Sequence, residues 1–296
     1  MQLSKRLAAV ADMVTPGLVL ADIGTDHAYI PIYLMEQQII PRAIAADINR
    51  GPLARADAHI REHALEKKIE TRLSDGLKAF APNEAQSIVI AGMGGALTIR
   101  ILENGRKDGV IQTGEHRVGD LGNALETPPR CASADIPPEG RGCHPARADR
   151  ACNLRNAARL ASTACLASTT ELILQPQSEI SLVRSWLEQN GWKIVREDMI
   201  FEDGKYYPMM KAKWYPLGSA MRETELLFGP RLLEMRHPVL RQFMLHERAT
   251  QENVLKSLKQ GKSETARMRE LEVQRCIRQM DEALRLYGEN GGMTDG

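Results

Sequence analysis

No stretch of this chain approaches the ~20 consecutive apolar residues that a membrane-spanning helix needs. The opening segment, MQLSKRLAAVADMV, lacks the apolar core and small-residue cleavage site of a secretory signal. Leu3, Leu7, Val10 and Val14 instead share one helical face, and the cytoplasm is the expected compartment. There is no excess of charge: the formal net charge is +1, so a nucleic-acid partner would have to be drawn by a local patch rather than by the overall field. There is no CxxC pair among Cys131, Cys143, Cys152, Cys165 and Cys276. Even with His116 and His144 nearby, that spacing suits unpaired thiols better than zinc, and no metal is expected. Aromatic residues are few, at 4%, in an otherwise ordinary globular composition long enough for one large domain and a small one.

The organising stretch is Leu18 to Pro31, LVLADIGTDHAYIP. A short apolar run ends at Asp22 and Ile23, Gly24 breaks it, and Ala28 to Gln37 reads as a helix. This is the strand, turn and helix that opens a nucleotide-binding α/β sheet. Gly24 lets backbone approach a ligand, and the first amides of the helix favour polar or anionic groups. The dinucleotide fingerprint G-x-G-x-x-G is missing its second and third glycines, and Asp26 would set a negative charge beside a pyrophosphate. That counts against NAD and FAD. It suits S-adenosylmethionine, whose sulfonium is cationic and whose free amino group Asp22 and Asp26 could receive.

The alternation continues. Arg42 to Ile48 is a second strand ending in Asp47, and a helix with Pro52 in its first turn is predicted to run to about Lys68. Ile69 to Leu73 is a third strand, followed by Asp75-Gly76, and Ser87 to Gly92 a fourth, followed by Met93-Gly94-Gly95 and a helix to about Asn104. Each acidic or glycine-rich feature falls at the carboxyl end of a strand, the edge where open parallel sheets bind ligands. Asp47 is placed to accept both ribose hydroxyls of an adenosine. Asp75 can accept from the exocyclic amine of adenine, with Gly76 clearing room for the ring.

From about Gly105 to Thr170 the pattern stops, and the segment reads as a disordered insertion with a short helix from Ala151 to Leu166. Order resumes with a fifth strand, Glu171 to Gln175, and a helix from Ser181 to Gln189. Trp192 to Phe201 and Tyr206 to Tyr215 then form a hairpin about Glu202-Asp203-Gly204-Lys205. Five parallel strands ending in an antiparallel hairpin is the arrangement of the Rossmann-like class I S-adenosylmethionine-dependent methyltransferases, not of the dehydrogenases. Two further helices are predicted, Pro238 to Lys259 and Glu264 to Tyr287. Val273, Ile277, Met280, Leu284 and Tyr287 face Leu240, Phe243, Val254 and Leu258 in an antiparallel coiled-coil hairpin. Lys and Arg outnumber acids thirteen to ten from Leu217 to Gly288, and Arg241, Arg248, Lys256, Lys259, Arg267 and Arg275 could grip RNA.

DIGTDHAYIP, the ADIN at Ala46 to Asn49, RLSDGL at Arg72 to Leu77, IAGMGG at Ile90 to Gly95, LILQP at Leu172 to Pro176, the amino-terminal LSKRL and the EDGKYY hairpin follow one another in a specific order. Together they resemble the bacterial tRNA (adenine(22)-N1)-methyltransferase family. The resemblance spans residues 1 to about 104 and 171 to about 287. It implies a methyltransferase domain over 1–216, with the insertion at 105–170, a helical domain over 217–288 and a frayed tail over 289–296. It further implies S-adenosylmethionine as donor, tRNA as partner and N1 of a D-arm adenine as target. Carried over residue by residue, Asp22, Gly24, Thr25, Asp26 and His27 line the methionine end of the cofactor. Asp47 lies at its ribose, with Ile48 a further cofactor-binding position, and Asp75 and Gly76 lie at its adenine. Gly92, Met93, Gly94 and Gly95, with Tyr29 nearby, form the floor for the target base, and Asp26 is the candidate to stabilise the charge developing on it. Arg6 and Lys205 are candidate phosphate contacts. Open at this point are methylation of another RNA or of a small molecule, a catalytically impaired RNA-binding homologue, and the oligomeric state.

Overall fold

A computed structural model of the chain describes residues 1–111, 170–215, 220–258 and 264–288. The expected insertion falls almost wholly outside these residues, as do four of the cysteines, Lys259, the break at 260–263 and the tail. Cys276 is a free, exposed thiol.

Helix α1 (Lys5–Ala11) opens the chain, its first turn capped by the Ser4 hydroxyl, which accepts from Leu7 N. Strands and helices then alternate as β1 (Leu20–Ile23), α2 (Tyr29–Glu36), β2 (Ala43–Asp47), α3 (Arg50–Glu62), β3 (Ile69–Leu73), β4 (Ser87–Met93), α4 (Gly95–Lys107), β5 (Glu171–Pro176) and α5 (Ile180–Gln189). The hairpin β6 (Trp192–Glu202) and β7 (Lys205–Trp214) follows, turning on Asp203 and Gly204 at φ +49° and +75°. The described strands form one seven-stranded sheet in the order β3-β2-β1-β4-β5-β7-β6. The first five are parallel, and β7 inserts antiparallel between β5 and β6. Chain order reverses between β1 and β4, which defines a switch point at the carboxyl ends of these strands.

Alternate strand residues feed two cores, one on each sheet face. Ile23, Ile44, Ile90 and Leu174 pack with Leu102 of α4 and Val183 and Leu187 of α5. Leu20, Ala45, Val89 and Ile173 pack with Val10 of α1, Ile32 and Leu34 of α2, and Ile60 of α3. Burial on both faces is why the central strands β1, β2, β4 and β5 read as largely apolar runs.

Two of the boundaries that differ from the sequence expectation have a clear backbone cause. Helix α2 starts at Tyr29, because His27 and Ala28 take left-handed backbone, φ +65° and +54°. Helix α3 ends at Glu62 rather than Lys68, because Ala64 turns left-handed at φ +53° and Leu65 N donates to Ile60 O.

Arg72 of β3 locks the chain beyond that strand. Its guanidinium donates to both carboxylate oxygens of Glu84 at 2.7 Å and to Ala79 O at 3.0 Å, and lies over the Phe80 ring. These bonds, led by the one from Arg72, hold the Glu84 carboxyl down to about 2. Its folded value lies below its unfolded one, so the stabilisation is complete above the ordinary glutamate range and is lost as pH falls toward 2. Glu84→Gln is expected to cost about 1 kcal/mol at pH 7 in urea unfolding. The difference from the parent chain should narrow as pH falls below about 4.5 and close only below about 2.

Beyond β7 come two short helices absent from the sequence expectation, α6 (Glu223–Phe228) and α7 (Pro230–Glu234), and then α8 (Pro238–Leu258) and α9 (Glu264–Gly288). The last two run antiparallel: Tyr287 Oη donates to His237 O just ahead of α8, and Arg248 bonds Asp281. Leu240 and Met244 pack with Met280 and Ala283, over Phe228, Leu232 and Met199. Arg184 of α5 and Glu197 of β6 are buried and paired, Nε to Oε1 at 2.9 Å. Arg184 Nη1 also donates to Leu226 O and Leu227 O, and Glu197 Oε2 accepts from Arg231 N and Leu232 N. This ion pair therefore joins the sheet to both ends of the α6–α7 turn. No helix among the described residues is long and apolar enough to cross a membrane.

Candidate active site at the switch point

Register brings the ends of β1, β2, β4 and β5 to one edge, so Gly24, Asp47, Gly92 and Gln175 meet there although they lie far apart in sequence. Gly24 N and Thr25 N both donate to Ala46 O, pinning the β1 turn against β2. Gly24 sits at φ +78°, and the Met93 methyl occupies the space a Cβ would take. A side chain there would strain the backbone and push the Met93 methyl aside.

Asp22 is the electrostatic anomaly of this edge. It is buried, and loss of solvent lifts its carboxyl to about 6; the Thr25 hydroxyl pulls it down in part, and the charge of Asp47 adds to the rise. Thr25 Oγ1 approaches that carboxyl closely enough to matter but completes no hydrogen bond of proper geometry, and it is buried. A buried carboxylate and a buried hydroxyl without a partner mark a place built for a polar, cationic group.

Asp47 Oδ1 accepts from Asn49 N at 2.6 Å, which fixes the carboxylate at the end of β2, and Oδ2 takes no donor among the described residues. Beside these strand ends two large apolar side chains are left open, Ile48 at 60% and Leu73 at 48% exposure. Asp75 is bonded by Lys78 Nζ at 2.6 Å, which holds its carboxyl below the usual range. Gly76, at φ +63°, packs so closely that a Cβ would stand 3.0 Å from Ile101 Cγ1. Carboxylate, hydroxyl, ribose-sized acceptor and apolar face thus occur in the order an S-adenosylmethionine molecule presents its parts, and the residues fit that cofactor.

Across the edge, Gly92 at φ +80° is clamped by the side chain of buried Gln175, whose Oε1 accepts from Gly92 N at 3.2 Å and from Arg6 Nη1 at 3.0 Å. Gly94 caps α4, and the first amides of that helix are taken by Ser178 Oγ and Glu179 Oε2. Gly95 must lack a Cβ, since one would stand 2.6 Å from Ser178 O. On the other flank, the rings of His27 and Tyr29 stack at 5.1 Å, and His59 of α3 lies 4.8 Å from His27. His59 Nδ1 donates to His27 O, whereas His27 Nδ1 is buried without a partner. Asp26 is mostly exposed and is bonded by Arg55 Nε and Nη2. The structure therefore groups Asp22, Gly24, Thr25, Asp47, Gly92 and Met93, with the His27–Tyr29 stack beside them, while Asp26 is partly neutralised.

Gln175, Arg55 and His59 were not singled out from sequence. Gln175 alone carried a signal, as a polar residue closing an apolar strand; the other two act across long sequence separations. A cavity of about 520 Å³, lined by Trp192, Lys193, Met221, Arg231 and Leu286 among others, lies by the amino end of β6, at the opposite sheet edge.

A sheet of this order, with a glycine turn after β1 and a carboxylate ending β2, defines the Rossmann-like S-adenosylmethionine-dependent methyltransferases, and residues 3–116 match a family model described as a methyltransferase domain. Residues 160–282 match the model for tRNA (adenine(22)-N(1))-methyltransferase. The chain belongs to the tRNA (adenine(22)-N(1))-methyltransferase family. It is 32% identical over 213 residues to the Bacillus subtilis tRNA (adenine(22)-N(1))-methyltransferase, a match spanning 72% of this chain and 66% of the relative. Among solved structures it resembles a candidate tRNA (m1A22) methyltransferase from Streptococcus pneumoniae, at 30% identity and TM-score 0.69, covering 96% of this chain and 100% of that one. The complex of that protein with S-adenosyl-L-methionine gives 29% identity and TM-score 0.67 over the same shares of the two chains.

Proposed function

We propose that this chain transfers a methyl group from S-adenosylmethionine to N1 of adenine 22 in the D-arm of tRNA. The observation that carries the reading is the convergence of Asp22, Thr25 and Asp47 on the Gly24 turn, opposite the glycine-rich loop after β4, in a chain of this family. Asp22 and the Thr25 hydroxyl receive the amino end of the cofactor, Asp47 holds the ribose hydroxyls, and Ile48 with Gly76 encloses the adenine. When bound, the cofactor supplies a methyl group activated by a sulfonium.

Adenine N1 carries a free lone pair at neutral pH, so no residue has to remove a proton before attack. Catalysis is then mainly positioning. N1 lies on the pairing edge, and the base must leave its stack to reach the site. The His27–Tyr29 stack gives a flat surface for it, and Gly92 and Gly94 let the backbone come close on the other side. Asp26 lies within reach of the cation formed on the base, though Arg55 offsets part of its charge. Of the arm residues, Arg241, Lys256 and Arg267 are exposed and available to tRNA phosphates, whereas Arg248 and Arg275 are bonded to Asp281 and Glu223. A role on tRNA puts the protein to work in the cytoplasm.

The test is methylation of unmodified tRNA followed by nucleoside mass spectrometry. The expected product is 1-methyladenosine, lost when adenine 22 is replaced by guanine. Formation of another methylated nucleoside, or none on any tRNA, overturns the assignment.

A further inference from the structure

The amino-terminal helix delivers one cation to the methyl-transfer loop. Lys5 N and Arg6 N both donate to the Glu202 carboxylate, at 2.7 and 3.3 Å, which fixes the start of α1 against the β6–β7 hairpin. From there the Arg6 side chain reaches the carboxyl edge of the sheet. Its Nη1 donates to Gln175 Oε1, the same oxygen that holds Gly92 N, and its guanidinium carbon lies 5.4 Å from the centre of the Tyr207 ring. Nη1 stands 3.8 Å from the position a Cβ would take on Gly92. The guanidinium thus borders the open space over the loop.

Arg6 differs from Arg55 and Arg72, the paired arginines of this edge. Arg55 is matched to Asp26, and Arg72 to Glu70 and Glu84. Arg6 is half-buried, has no carboxylate partner among the described residues, and uses one of its five N–H donors, on a neutral amide. A partly desolvated guanidinium whose charge is not offset, held in position on both an amide and a ring, is poised for a planar oxyanion that takes its remaining donors as a fork.

We infer that Arg6 is an oxyanion-binding residue of the active site, engaging an anionic group of one of the two reactants beside Gly92. The chemistry fits two sources: the carboxylate of the methionyl cofactor and a phosphate flanking the extruded nucleotide. This inference rests on the proposed reaction for the identity of the reactants, but not for the existence of the site.

Arg6→Ala and Arg6→Lys are compared with Gln175→Leu, which removes the shared amide while keeping the cation. Affinity for S-adenosylmethionine is measured by calorimetry, and affinity for tRNA by filter binding across a salt series. If the carboxylate is the ligand, Arg6→Ala weakens cofactor binding tenfold or more, Arg6→Lys restores part of it, and the salt dependence of tRNA binding stays unchanged. If a phosphate is the ligand, cofactor affinity is unchanged and the slope of log affinity against log salt falls by about one. The inference is overturned if neither affinity changes, or if Gln175→Leu reproduces every effect of Arg6→Ala, since Arg6 would then only support the loop. Product formation by the parent chain on adenine-22 tRNA, measured in the same series, is independent of these binding outcomes, so failure of the proposed reaction is told apart from failure of the site.

Discussion

At neutral pH, Asp22→Asn is expected to weaken binding of S-adenosylmethionine by about 30- to 100-fold, the loss of one charge-assisted hydrogen bond. The same substitution should stabilise the ligand-free protein. The Asp22 carboxyl rises from 3.8 to about 6 on folding because burial disfavours its charge. The folded state therefore holds the proton more tightly than the unfolded chain, and the contribution of Asp22 to stability falls as pH rises from about 4 to 6. Above that window the penalty is complete, roughly 3 kcal/mol, of which an uncharged buried amide takes back about 1. A net gain of about 2 kcal/mol corresponds to a melting temperature higher by about 4–8 °C for a chain of this size. In the parent protein, cofactor affinity should rise with pH through about 6; in Asp22→Asn it should be flat. Calorimetry at pH 5, 6 and 7.5, with thermal unfolding of the free protein, checks both halves. An unstabilised variant that binds as tightly as the parent would remove Asp22 from the site.

The second large effect is structural. Arg184 and Glu197 are buried against each other, and each also serves the backbone of the α6–α7 segment. Removing one partner leaves the other charged and out of water, so Arg184→Leu and Glu197→Ala should each cost about 3–5 kcal/mol in urea unfolding. Arg184→Leu combined with Glu197→Leu should cost less than the sum of the two, because no bare charge remains, yet more than nothing, because Leu226 O, Leu227 O and the amides of Arg231 and Leu232 lose their partners. Strict additivity would mean the pair is not coupled. Gly229 belongs to the same arrangement, for a Cβ there would stand 2.6 Å from the Glu197 carboxylate.

Strands β1, β2 and β4 were legible because they are largely buried on both faces and close on glycine or aspartate, so that apolar runs and breakers mark them directly. The end of α3 was not, because Ala64, not glycine, adopts the left-handed conformation that stops it. Helices α6 and α7 span six and five residues, too short for a helical period to register. In the site, the residues legible from sequence were those whose position relative to a strand end matters: Asp22, Gly24, Asp47, Gly76 and Gly92. What escaped was pairing across the fold. Nothing near Asp26 announces Arg55, nothing near His27 announces His59, and Arg184 reads as one more charge on an amphipathic helix.

The brace at Glu197 also bears on whether this chain can be divided. Composition changes near residue 217, yet the amides of Arg231 and Leu232 complete a carboxylate that belongs to the sheet. A cut at 217 would strip that carboxylate of its cover and uncap the sheet's own interior. The segment between Glu234 and Pro238, where α7 has ended and α8 has not begun, is no cleaner joint, because Leu240 and Met244 of α8 share a core with Phe228, Leu232 and Met199, and His237 pairs with Asp198 of β6. The two short helices and the long helical pair are therefore both built onto the sheet, and truncation at either point would expose apolar surface that folding has buried.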